Sequence, residues 1–224
     1  MNARAARCLA ANFEGNAALD RGNLTGAIAC YDAALATGHA PQRGVLLVMR
    51  ATAQLQRAYM HCEQVRAAHA ELASEAPNDG VRVLATESNT LAIVAALDAP
   101  ALFTPLLRSL AARAPDDAPR FAAARFHYAL YEVALAAAAD DACAACALLP
   151  TYAKCWLRAG EALALLGALE SALIHYEEAA LLEPAARPAL APTLERLTLA
   201  RQILAAARAQ GYPDADVLDL LAEI

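Results

Sequence analysis

Aromatic residues are scarce in this chain: they make up 5% of its 224 residues, with one tryptophan. A core filled by large rings is therefore excluded, and apolar burial has to come from alanine and leucine. β-Branched residues are also few, which argues against sheets. The sequence has no phosphate loop, no G-x-S-x-G turn and no H-E-x-x-H pair. Its five histidines are dispersed. Catalysis thus finds no anchor, and the sequence reads as a protein that is not an enzyme, with no cofactor and no metal. No charge-free stretch reaches the length of a membrane span. The opening MNARAARCLAANFEGN lacks the continuous apolar run of a secretory signal. A basic stripe is missing as well: 18 Lys and Arg stand against 24 Asp and Glu, a net charge of −6, so nucleic acid is not an expected partner. Six scattered cysteines in a chain of this length do not read as a disulfide framework. The expectation is a cytoplasmic, thiol-reduced protein that contacts neither membrane nor nucleic acid.

What is present is helix-forming. Alanine has the highest helix propensity, and its small side chain lets helices approach closely. The expected class is all-α. Two segments also match each other in register. In EGNAALDRGNLTGAIACYDAAL the landmarks are Gly15, Gly22, Ala27, Tyr31 and Ala34. In RAGEALALLGALESALIHYEEAALLEP they are Gly160, Gly167, Ala172, Tyr176 and Ala179. In both, the offsets from the first glycine are 7, 12, 16 and 19. Pro150 and Pro184 lie 34 residues apart, each closing an apolar helix end. A 34-residue period with these landmarks is the signature of a helix–turn–helix repeat. Gly160 and Ala172 are small where two helices cross, Gly167 makes the turn, Tyr176 and Trp156 fill the space between hairpins, and proline ends the second helix.

The stretch from Ala153 to Ala186 resembles a tetratricopeptide repeat, with Trp156, Gly160, Leu163, Ala172, Tyr176, Ala179 and Pro184 at that family's positions. Cys8 to Pro41 is a second match, with His39 in place of the closing proline. The resemblance implies a right-handed α-solenoid of about five helix hairpins with a C-terminal capping helix. Degenerate repeats are expected near 42–78, 81–116 and 119–150. The segment APDDAP (114–119) divides the chain into an N-terminal block, 8–114, and a C-terminal block, 119–210, which includes the capping helix started by Pro192 and stopped by Gly211. A short amphipathic helix is expected over 211–224.

Lys154 and Arg158 lie four residues apart on the first helix of the better repeat, so both cations share a face. Like charges at that spacing repel by a few tenths of a kcal/mol, and an anion is the natural relief. In the chaperone-binding co-chaperones of the resembled family, a Lys and an Arg so placed grip the acidic end of a chaperone tail. Lys154 and Arg158 match that pair. The rest of that clamp is incomplete: Asn89 stands for one asparagine, Ala124 for another, and in the first block Asn16 matches while Asn12 and Met49 replace a lysine and an asparagine. The resemblance thus implies a protein–protein adaptor binding the acidic C-terminal tail of a cytosolic chaperone through Lys154, Arg158, Asn89 and Asn16. The other reading is a scaffold subunit of a larger assembly with no clamp, in which Arg158 simply pairs with Glu161. Cys143-Ala-Ala-Cys146, with Cys155 nearby in sequence, has metal spacing, but two further ligands would be needed, and apolar packing explains the thiols more simply.

Overall fold

The computed structural model describes residues 3–75, 119–209 and 211. The described residues hold seven α-helices and no strand. They are α1 (Ala3–Asp20), α2 (Leu24–Ala36), α3 (Arg43–Glu75), α4 (Pro119–Leu148), α5 (Ala153–Leu165), α6 (Leu169–Leu182) and α7 (Arg187–Ala209). Each described helix packs on the next described one, and α3 also touches α5. None of the described helices is long and apolar enough to cross a membrane.

The two matched segments fold alike for local reasons. Gly22 ends α1 at φ +73°, and Gly167 ends α5 at φ +79°, a conformation open to glycine and strained for other residues. Around each glycine the same pair of bonds forms: Gly22 N–H to Leu19 O and Asn23 N–H to Ala18 O, then Gly167 N–H to Ala164 O and Ala168 N–H to Leu163 O. The chain reverses, and the second helix lays a tyrosine on the glycine of the first. A Cβ on Gly15 would stand 2.6 Å from the Tyr31 ring, and one on Gly160 would stand 3.0 Å from the Tyr176 ring. Tyr31 and Tyr176 are both buried, as are Ala27 and Ala172. Trp156, expected to be buried, is only half-buried; its indole N–H donates to Pro150 O at 2.9 Å, which holds the ring over the turn before α5.

The middle of the chain departs from the expected hairpins. Residues 42–78 and 119–150 were each to hold a helix pair, but Arg43–Glu75 is one helix of 33 residues and Pro119–Leu148 one of 30. After Gly44, α3 contains no glycine or proline to break it. The two long helices, each about 45–50 Å by helical rise, run antiparallel. Gly44 lies against Leu149, Arg50 pairs with Asp141, and His61 meets His127. They form a single extended hairpin across the two sequence blocks. The largest buried cluster draws on both: Leu55 and Val65 from α3, Tyr131 and Leu135 from α4, then α5, α6 and Leu197 of α7. Arg50 fastens the crossing, its Nε and Nη2 donating to Asp141 at 2.7 Å each while Nη1 reaches Asp32 of α2.

The start of α7 also differs. A 3-10 turn, Pro184–Ala186, precedes it, and the helix begins at Arg187 with Pro192 inside it. Gly211, at φ +82°, stands just past its end as expected. The expected repeat at 81–116, Asn89 and the short helix over 211–224, Gly211 apart, lie outside the described residues.

Candidate functional site

Helix α5 carries two faces. Cys155, Ala159, Gly160 and Ala162 are buried against its neighbours. Lys154, Leu157, Arg158 and Glu161 follow one another at helical spacing on the other side and are half-buried. Where the start of α5 meets the end of α6 and the start of α7, a cavity of about 470 Å³ opens, lined by Lys154 and Arg158 together with Leu157, Ala179, Leu190 and Glu183. The wall is mainly apolar, with the two cations on α5 and a carboxylate at the far end of α6.

The two cations differ. Among the described residues, Lys154 has no hydrogen-bond or ion-pair partner. Arg158 donates through Nη1 to Glu161 Oε2 at 2.5 Å, so the pairing expected in the scaffold reading is present. Glu161 is itself fixed from α3, because Tyr59 Oη donates to its other oxygen at 2.9 Å. Loss of hydration around the hydroxyl, and then the Glu161 charge, push the Tyr59 phenol well above its ordinary value. Burial and the Glu161 charge raise Tyr176 in the same way, partly offset by Arg158. Arg158 still keeps one donor idle: Nε is buried and has no acceptor. Leaving such a group unsatisfied costs about 1–3 kcal/mol.

The other sequence candidates do not join this cavity. Asn16, on α1, accepts from Tyr31 Oη at 2.8 Å and so serves the first hairpin. Nearby on the same helix, Asn12 keeps a buried oxygen without a partner. Met49 packs beside the core of the first hairpin. Asn89 is outside the described residues, and Ala124 lies on α4. Leu190, Ala179 and Glu183 were not legible as site residues, because only the docking of α7 onto α6 brings them to α5. Tyr59 was missed for the same reason: it lies 102 residues from Glu161.

The thiols form a packing cluster. Cys146 and Cys155 are buried in the α3–α4–α5 contact, with Cys143 packed against them. The Cys155 Sγ–H points at Tyr152 O, 2.8 Å away, in the turn before α5. Burial pushes all three thiols up, which keeps them protonated. Among the described residues no group of three or more His, Cys, Asp or Glu is arranged to hold a metal ion. No protein-family model, curated protein or solved structure matches the chain.

Proposed function

We propose that this chain is a protein-binding adaptor of tetratricopeptide-like hairpins, and that the cavity between α5 and α7 receives the acidic C-terminal end of an extended peptide. The observation that carries the reading is the pairing of Lys154 and Arg158 on one mixed cationic and apolar cavity. A terminal carboxylate supplies an anion for the free ammonium of Lys154. The Arg158 guanidinium adds a second cation on the same wall, and charge-assisted bonds to such groups are among the stronger hydrogen bonds. Leu157, Ala179 and Leu190 leave room for the apolar part of a neighbouring side chain. In the same reading, α1/α2, α3/α4 and α5/α6 are three stacked hairpins of a solenoid, the middle one drawn out, and α7 caps the open end as repeat arrays require. The Arg158–Glu161 pair favours the scaffold alternative, because it has already neutralised one cation.

Titration of a fluorescent peptide ending in two acidic residues, followed by anisotropy at low salt, tests the proposal. Wild-type protein is expected to bind in the micromolar range, on the order of −8 kcal/mol, and Lys154→Ala to weaken binding more than Arg158→Ala does. Added salt is expected to weaken binding, because exposed charges are screened over about 8–10 Å. Absence of binding, or curves that coincide for wild type and Lys154→Ala, would leave the scaffold reading.

A further inference from the structure

Away from this cavity, the long hairpin of α3 and α4 brings two histidines face to face. His61 Nδ1 stands 3.2 Å from His127 Nδ1, although the residues are 66 apart in sequence. Their rings lie 5.4 Å apart at a 34° tilt. Phe126 packs edge-on against His127 at 5.5 Å, which limits how that ring can turn. His61 is buried and His127 half-buried.

We propose that His61 and His127 form a two-nitrogen site for a divalent transition-metal ion of the Ni²⁺, Cu²⁺ and Zn²⁺ class, which clamps α3 to α4. Imidazole nitrogen suits these ions. With each nitrogen about 2.0–2.1 Å from the ion, the two stand about 2.9 Å apart at the right angle of a square or octahedral ion and about 3.4 Å apart at a tetrahedral one, and the spacing found here lies between. Without metal, one ring donates its Nδ1–H to the other. Binding requires both rings to carry the proton on Nε2, which frees both Nδ1 lone pairs. One N–H···N bond is then exchanged for two coordinate bonds, and neutral rings release no net proton. Among the described residues no third His, Cys, Asp or Glu completes the set, so water fills the remaining positions. Arg57 lies close enough for its charge to act on His61, and the same charge opposes a bound dication.

Nickel is the probe of choice, because the thiols of this chain compete less for Ni²⁺ than for softer ions. Calorimetric titration of Ni²⁺ into the whole protein at pH 7.5 is expected to show one equivalent bound and a melting temperature that rises to a plateau. His127→Gln is expected to weaken binding by more than the ~10–100-fold typical of outer-shell changes, while melting cooperatively without metal. Arg57→Gln is expected to tighten binding, and His175→Gln to leave it unchanged. Failure of the wild type to bind Ni²⁺, or equal affinity in wild type and His127→Gln, would overturn the assignment.

Discussion

A hydrogen atom in place of a side chain at position 15 leaves the space that the Tyr31 ring fills. A Cβ there would come within 2.6 Å of a buried ring carbon, whereas at position 160 it would stand 3.0 Å from Tyr176. Alanine is otherwise favoured over glycine inside a helix by about 0.5–1 kcal/mol. Gly15→Ala is therefore expected to destabilise the protein and Gly160→Ala to come out near neutral. Gly160→Leu should overpack the crossing at a cost of about 1–3 kcal/mol. Urea denaturation of the three variants checks the order, and equal midpoints for Gly15→Ala and Gly160→Ala would contradict it. The positions of these glycines and tyrosines were readable in the sequence, because the offset of 16 residues recurs in both segments, but their contact was not: Gly160 was expected to meet Ala172, with Tyr176 between hairpins. The Arg158–Glu161 pair was readable from its spacing, and the contacts from distant segments were not. Lys154 and Arg158 declare only their spacing on a helix, while Tyr59 reaches Glu161, and Leu190 the cavity, by contacts that no local pattern encodes.

Among elements, the hairpins with a glycine turn were legible and the long ones were not. Apolar residues at helical spacing look the same in one helix of 33 residues as in two joined by a turn, so the 34-residue period suggested a break that α3 does not contain. What fixes α3 against α4 is tertiary, and Arg50 makes the point. Removing it leaves Asp141, which is buried, without its cation. Arg50→Met is expected to cost about 3 kcal/mol, the lower end of the range for breaking a buried pair. The exposed partner is worth less, and Asp32→Asn is expected to cost at most about 1 kcal/mol. The double change Arg50→Met with Asp141→Leu should recover part of the loss, and melting of the four proteins checks this. A pH dependence follows from the helix contacts. Burial raises the Cys146 and Cys155 thiols, and burial with the nearby Asp20 pushes Tyr31 up to about 12. An unfolded chain releases these protons at about 8.5 for cysteine and 10 for tyrosine. Above those values the folded state binds more protons than the unfolded one, so stability falls as pH rises. The melting temperature is expected to decline above about pH 9 and more steeply between 10 and 12. Tyr31→Phe should flatten the upper part, and an unchanged profile would contradict the assignment.

At the scale of the whole molecule, the seven described helices carry a cavity at the junction of α5, α6 and α7, with two cations on its wall. The all-α class was readable from alanine and from the scarcity of rings and β-branched residues. The cavity was not, since it exists only once α7 has docked. The account turns on whether Lys154 meets a ligand carboxylate there. A double-mutant cycle asks this directly, combining Lys154→Ala in the protein with amidation of the C-terminus in a peptide that ends in two acidic residues. The four dissociation constants should give a coupling energy of about 0.5–3 kcal/mol, the range for groups in contact. If the two changes simply add, with no coupling, Lys154 does not hold the carboxylate and the cavity is not the site of an acidic tail.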